Sequence, residues 1–187
     1  MKLLQLMTAC GLILSLATGS ALGQDEKAKK QAEVKKATAA ALQKFNKADA
    51  KLAAEVAKAP GYAVFTTYGL SFLVGGSGGY GLVHDSKTKK DVYMDMAQAS
   101  AGLQIGASES EILIVFKNEK ALQTFINNGW EFGGGGGVQA GAGGKSVGPG
   151  GGENLIADAL YYTLTKNGLQ AGGAVAGTKF WKSSSLN

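Results

Sequence analysis

The residue types that perform most enzymatic chemistry are scarce in this sequence. It has one histidine, His84, placed at a turn signal, and one cysteine, Cys10. One histidine cannot form a multi-histidine metal site, and no G-x-S-x-G elbow with a strand before it and a helix after it supplies a serine nucleophile. Acid pairs such as Asp91 with Asp95 fall where solvated strand edges would place them. The sequence therefore predicts a protein that is not an enzyme and needs no metal or other cofactor.

Two glycine-rich segments match parts of nucleotide-binding signatures but lack the elements that should surround them. Residues 76–81 fit G-x-G-x-x-G, yet residues 82–85 continue as strand and turn rather than as the helix that would hold a pyrophosphate. Residues 144–146 end like a P-loop, but Gln139 stands where the first glycine belongs, and residues 148–150 read Gly-Pro-Gly where a helix should begin. Neither segment predicts nucleotide binding.

The basic charge is concentrated in one part of the chain. All 19 basic residues are lysines, and the net charge is +5. Residues 24–60 hold nine lysines against five acids, whereas residues 61–187 hold nine of each. Lysine lacks the bidentate fork that arginine offers to phosphate and guanine, so this composition disfavours base-specific binding of nucleic acid. Diffuse attraction to an anionic surface is compatible with it.

The first 23 residues predict a secretory signal peptide. Lys2 precedes an apolar run at residues 3–17, and the small residues Ala21 and Gly23, at the third and first positions before Gln24, fit a cleavage site there. A lipoprotein acylated at Cys10 is the alternative, but too few residues precede that position for a full apolar region. We expect an exported protein, periplasmic or secreted, that is soluble or peripheral to a membrane, because no later stretch approaches the roughly 20 apolar residues of a membrane span.

Residues 24–60 predict one amphipathic helix with a basic face. The segment contains no glycine, is rich in alanine and ends at Pro60. At about 100° per residue, its large apolar side chains fall within roughly 80°, and six lysines fall within another arc of roughly 80° on the far side. Two interpretations stay open: the apolar arc packs on the protein's own domain, or the basic helix meets an anionic membrane surface. The apolar arc comprises Val34, Leu42, Phe45, Leu52 and Val56, and the lysines are Lys29, Lys36, Lys44, Lys47, Lys51 and Lys58.

From Gly61 onward, short apolar runs separated by glycines and turn signals predict β-strands. Asn118 is a helix cap, and Asn128-Gly129 stops the short helix that follows it. Residues 153–164 are expected to be ordered, and residues 133–152 form either a loop or a strand. The predicted strands are Tyr62–Tyr68, Leu70–Val74, Tyr80–His84, Asp91–Met96, Ala101–Ala107, Glu111–Phe116 and Gly168–Phe180.

The predicted fold class is α+β. We expect a signal peptide (residues 1–23), an amphipathic basic helix (residues 24–60) and a glycine-rich antiparallel β-sheet domain with one or two short helices (residues 61–187). Residues 24–187 together would form one functional unit.

Several segments, taken in order, resemble the SYLF-domain family. Gly102–Ala107, followed by a strand and an Ala-Leu-x-x-Phe helix, is the most specific of them. Two positions depart from the family pattern: Thr66-Thr67 stands where a proline is usual and alters a turn, and Gln170 replaces an aromatic residue and removes a bulky apolar contact. The resembling segments are Lys58–Phe65, Phe72–Val83, Gly102–Ala107, Phe116 with Ala121-Leu122 and Phe125, and Tyr162–Gly172.

The resemblance implies a non-catalytic lipid-binding module, because SYLF proteins bind phosphoinositides and other anionic phospholipids. Eukaryotic relatives also bind actin filaments, which are not expected as a partner here because export places the protein outside the cytosol. We expect lysines at the headgroup plane, each contributing on the order of 1 kcal/mol. The alternative is an envelope structural or protein-binding protein without direct lipid contact. The predicted lipid-contacting residues are Lys36, Lys44, Lys47, Lys51, Lys58, Lys87, Lys89 and Lys90.

Overall fold

The computed structural model describes residues 18–71, 74–101, 106–133, 137–139, 158–166, 168–171 and 178–187. This part of the chain forms three helices and nine strands. The elements are α1 (Thr18–Ala48), α2 (Ala50–Lys58), β1 (Gly61–Ser71), β2 (Val74–Asp85), β3 (Lys90–Ala101), β4 (Gly106–Phe116), α3 (Glu119–Asn128), β5 (Trp130–Gly133), β6 (Gly137–Gln139), β7 (Ala159–Thr165), β8 (Gly168–Ala171) and β9 (Thr178–Lys182).

All described strands join one antiparallel sheet in the order β6-β5-β9-β3-β2-β1-β4-β7-β8. The predicted α+β fold with an antiparallel sheet is confirmed. Residues 168–180, expected as one closing strand, instead contribute two strands far apart in the sheet. β8 pairs with β7 at one edge, whereas β9 inserts between β3 and β5. Strand propensity alone does not specify such long-range pairing.

β1 extends beyond the predicted strand Tyr62–Tyr68, and β2 begins before the predicted strand Tyr80–His84 because residues 75–79, four of them glycine, lie inside it. The predicted strand Leu70–Val74 is wrong as a single element, since β1 ends and β2 begins within it; residues 72–73 lie outside the described residues. Because glycine has no side chain, the atoms of the adjacent strands can approach the glycine positions of β2 closely. A Cβ at Gly79 would lie 2.6 Å from the main-chain oxygen of Thr66, and one at Gly81 would overlap the Phe65 ring. The expected strand Ala101–Ala107 is wrong as a single element, since β3 ends and β4 begins within it; residues 102–105 lie outside the described residues.

The sheet is covered on both faces. On one face, α3 packs on a core that includes Phe65, Ile114 and Phe180, and the rings of Phe125 and Trp130 meet edge to face with centroids 4.7 Å apart. On the other face, α1 and α2 cover a core around Phe45 and Leu113. Burial of these two apolar surfaces supplies the main driving force for folding.

Local sequence signals set the helix boundaries. The Asn118 side chain accepts a hydrogen bond from the Ala121 amide at 2.8 Å, which confirms the predicted cap of α3. Gly129 follows α3 with a φ of 66°, a conformation that favours glycine. The segment predicted as one helix over residues 24–60 is divided at Asp49, whose carboxylate accepts from the Lys51 amide and caps α2.

Several expectations concern residues outside the described part. They include residues 1–17 of the predicted signal peptide, residues 140–152 of the glycine-rich segment and residues 153–157 of the segment expected to be ordered. Where residues 133–152 are described, Gly137–Gln139 forms β6. None of the helices in the described part is long and apolar enough to span a membrane.

Candidate functional site

The first helix packs its apolar face on the protein's own sheet. Val34, Thr38, Ala41 and Phe45, at spacings of four, three and four residues, are the buried positions of α1 in its described part. Phe45, which is fully buried, lies in the same core as the sheet residues around Leu113. Of the two interpretations that the sequence left open for the apolar arc, packing on the domain is the one observed.

A line of exposed lysines runs along the opposite side of α1. Relative to Val34, the positions of Lys29, Lys36 and Lys47 are turned by roughly 200 to 220°. All three side chains are exposed, and none of them pairs with an acid of the described residues. Eighteen residues of helix separate the first from the last, which is about 27 Å. We call these three residues the outer lysine line.

Two further lysines lie on the flanks of α1 and pair with acids of the sheet. Lys35 Nζ lies 3.1 Å from Asp91 Oδ2 on β3, and Lys44 Nζ contacts Glu111 Oε1 on β4. The hydrogen bond to Asp91 raises the pKa of Lys35. Because the two ion pairs lie on opposite flanks, they resist rotation of α1 about its axis. Lys44, predicted as a lipid contact, thus has a carboxylate partner within the protein.

The single histidine takes part in a structural junction. His84, expected at a surface turn, lies within β2, half-buried, and its Nδ1 is 2.8 Å from Asp91 Oδ1. The ring of Tyr62 lies against it, with centroids 5.3 Å apart. Burial alone would raise the pKa of Asp91, but hydrogen bonds from His84 and Lys35 outweigh it and hold that pKa below its usual range. The junction connects α1 with β1, β2 and β3.

No metal centre is evident in the described part of the chain. It contains no group of three or more histidine, cysteine, aspartate or glutamate side chains that could hold a metal ion.

Three of the predicted lysines, Lys87, Lys89 and Lys90, lie at the end of the sheet where β2 turns into β3. The carboxylate of Asp85 accepts hydrogen bonds from the Lys87 and Thr88 amides, both at 2.9 Å, and from the Gln123 side chain of α3 at 3.1 Å. The hydrogen bond from Thr88 lowers the pKa of Asp85, although burial opposes it. Lys89 completes the turn with a φ of 57°. The sequence analysis singled out only the lysines of this turn and missed Asp85 and Gln123, whose side chains stabilise it. The sequence Asp-Ser-Lys-Thr is typical of a turn in which the aspartate side chain accepts hydrogen bonds from the amides that follow it.

The carboxyl end of α2 lies beside this turn. The Ser86 amide donates to the main-chain oxygen of Pro60 at 2.9 Å, and Pro60 is two residues after Lys58. The structure therefore places the eight predicted lysines on separate surfaces. Lys36 and Lys47 belong to the outer lysine line, Lys44 pairs with Glu111, Lys51 is exposed at the start of α2, and Lys58, Lys87, Lys89 and Lys90, called here the turn cluster, are exposed at the end of the sheet.

Comparison with known proteins connects this architecture to a family. Residues 97–187 match the family model of Ysc84, described as Las17-binding protein actin regulator. This segment belongs to the Ysc84 (SYLF-domain) family. The resemblance predicted from the sequence is confirmed over these residues.

A curated relative matches more of the chain. The sequence is 29% identical over 130 residues to Beta cell expansion factor A from Aeromonas veronii, a match that covers 66% of this chain and 46% of that protein. The chain thus spans about half the length of this relative.

The strands of the SYLF-family segment form a continuous sheet only together with β1 and β2, which precede the segment in sequence. The segment begins within β3, and β1 and β2 lie between β3 and β4 in the sheet. α1 packs on these same central strands. The lysine-bearing helix and the family segment are therefore joined through one core.

Proposed function

We propose that this protein is a peripheral, non-catalytic module that binds anionic phospholipid, including phosphoinositide-like headgroups. The observation that carries the proposal is the outer lysine line, in which Lys29, Lys36 and Lys47 are exposed opposite the buried stripe of α1. Because the helix is docked on the sheet, this line is held in place and can meet a flat surface at three points. Family membership supports the lipid-binding class.

Such attachment would be electrostatic. A lysine near an anionic membrane surface contributes about 1 kcal/mol, so three lysines supply about 3 kcal/mol, or on the order of 100-fold in affinity. The apolar stripe of α1 is already used against the sheet and does not add insertion into the bilayer. We therefore expect binding that weakens steeply as ionic strength rises, since exposed charges are screened beyond about 8 Å at physiological salt.

We also propose that the protein acts after export, as a periplasmic or secreted protein released from a signal peptide at residues 1–23. The sequence pattern of that segment supports this location. Within the described part, every buried hydrophobic residue lies at or after Val34, so residues 24–187 retain all of them. Outside the cytosol, actin filaments would not be met, and we do not propose them as a partner.

The test is co-sedimentation of residues 24–187 with neutral and anionic liposomes across a salt series. Three variants, each of which removes three positive charges, locate the contact surface. They are K29Q/K36Q/K47Q on the outer lysine line, K58Q/K87Q/K90Q in the turn cluster, and K166Q/K179Q/K182Q as the control, whose lysines are exposed on β9 and beside β7.

We expect binding that is selective for anionic liposomes, is lost in high salt, falls about 100-fold in the first variant and is unchanged in the control. A loss confined to the second variant would move the contact to the turn cluster. Failure of the wild-type protein to bind either liposome would overturn the lipid function and favour the alternative, an envelope protein that binds a protein partner.

A further inference from the structure

Residues 183–187, which follow β9, extend the pairing of that strand with β3. The regular ladder ends at the pair formed by Lys182 and Met94. Beyond it, the Ser183 amide donates to the Tyr93 main-chain oxygen at 3.0 Å. The Asn187 side chain then accepts from the Tyr93 amide at 3.0 Å and donates to the Tyr93 oxygen at 2.8 Å. The side-chain amide of Asn187 thus acts as a substitute for a strand residue opposite Tyr93.

The same segment contacts the amino-terminal half of α1. Leu186, only 6% exposed, packs with Val34 in a small core. The side chains of Lys27 and Gln31 donate to the main-chain oxygens of Asn187 and Leu186, each at 2.7 Å. Lys27, Gln31 and Val34 are spaced four and three residues apart, so they share one face of the helix. The contacts are therefore directed at a single side of α1.

This half of α1 has little else to hold it on the sheet. Among described residues 23–37, Val34 is the only buried one. Val34 packs with Leu82 of β2 and Tyr93 of β3 as well as with Leu186, and Lys35, whose side chain is exposed, forms an ion pair with Asp91. A helical segment with so few buried contacts opens readily by local unfolding unless other residues hold it.

We propose that residues 183–187 form a latch that holds the amino-terminal half of α1 against the sheet and thereby positions Lys29 and Lys36 on the outer face. The side chain of Asn187 binds the latch to β3. The side chain of Leu186 and the main-chain oxygens of Leu186 and Asn187 bind the latch to α1. The positional claim stands on these contacts alone. Its consequence for membrane attachment rests on the proposed function.

Hydrogen–deuterium exchange on the full chain tests the position. The variants are N187A, which removes the pairing with Tyr93; N187D, which keeps an acceptor but removes the donor; and L186A, which removes the buried side chain. S184A is the matched control, because Ser184 is exposed in the same turn. We expect about ten-fold faster exchange over residues 25–37 in N187A and L186A, a smaller rise in N187D and none in S184A. Exchange in β1 and β4 should stay at the wild-type rate.

Unchanged exchange over residues 25–37 in both N187A and L186A would overturn the latch. An equal rise throughout β1 and β4 would also overturn it, because Asn187 would then support the sheet in general rather than α1 in particular.

Anionic liposome binding of the same variants tests the consequence. We expect N187A to bind several-fold more weakly than wild type, since a loosened helix no longer presents its lysines in a fixed array. Wild-type affinity in N187A would overturn the positioning role in lipid binding. If the wild-type protein itself does not bind, the proposed function fails, and the exchange experiment still decides whether the latch exists.

Discussion

Gly78 and Gly79 are neighbours in β2 whose replacement by alanine should have opposite effects on stability. A Cβ at Gly79 would lie 2.6 Å from the main-chain oxygen of Thr66 and 2.9 Å from Cγ of Met96. A Cβ at Gly78 meets nothing closer than the main-chain oxygen of Met96 at 4.0 Å. Comparing the two variants isolates the effect of close packing, because both replace glycine by alanine in the same strand and differ only in how near the surrounding atoms lie.

The size of the effect follows from these distances. The Thr66 oxygen belongs to the β1–β2 ladder, so it cannot move away without shifting the pairing, whereas the Met96 side chain can adjust. Overpacking of this kind costs about 1 to 3 kcal/mol. Replacing glycine also restricts the unfolded chain, which stabilises by about 0.5 kcal/mol where the new methyl group fits. We expect G79A to lose about 2 kcal/mol and G78A to gain about 0.5 kcal/mol.

Urea unfolding followed by circular dichroism measures both variants against wild type. A difference of about 2.5 kcal/mol between them corresponds to a separation of roughly 5 to 10 °C in Tm for a protein of this size. The m-value should stay constant if only native-state packing changes. Free energies of unfolding that agree within about 0.5 kcal/mol would refute the reasoning, since β1 would then not approach β2 closely at Gly79.

Two further substitutions test the cap of α3 and the junction beneath α1. Asn118→Ala removes the acceptor for the Ala121 amide and should lower the free energy of unfolding in urea by about 1 kcal/mol; an unchanged value would contradict the cap. Asp91→Asn should cost about 1 kcal/mol at pH 7, because it removes the charge that pairs with Lys35 and His84. The folded-state pKa of Asp91 is lowered, so its stabilisation is present above the unfolded value of about 3.9 and is lost as pH falls through the folded value. The free energies of unfolding of the wild-type protein and the variant should therefore converge as pH falls below the folded-state pKa of Asp91, and a difference that persists in acid would count against this origin.

Helical periodicity was sufficient to predict which side of α1 is buried. Val34 and Phe45 of the predicted apolar arc are buried on the sheet, and Lys36 and Lys47 are exposed on the opposite side. Periodicity could not show which sheet residues contact the side chains on the flanks of α1. Lys44 was grouped with the exposed lysines, but its partner Glu111 is 67 residues away in sequence and is brought near only by the sheet.

The same limit applies to the strands. The alternation and glycine content of residues 61–116 indicated strands that the structure largely contains. The sequence did not reveal that β9 pairs with β3, because that contact depends on the arrangement of the whole sheet. The latch formed by residues 183–187 was invisible for the same reason, since Asn187 finds its partners at Tyr93. Asp49 also divides the predicted helix, because its side chain caps α2. The helix-favouring composition of residues 24–60 gave no sign of this break.

The central claim is that the outer lysine line is where the protein meets an anionic membrane, and a fluorescent probe at position 36 tests it most directly. K36C in residues 24–187, which contain no other cysteine, would carry an environment-sensitive label, with K166C beside β7 as the matched control. The account predicts that anionic vesicles shift the emission of the label at position 36 to shorter wavelength, that high salt reverses the shift, and that the label at position 166 does not respond. An unresponsive label at position 36 in the presence of vesicle-bound protein, or equal shifts at both positions, would contradict it.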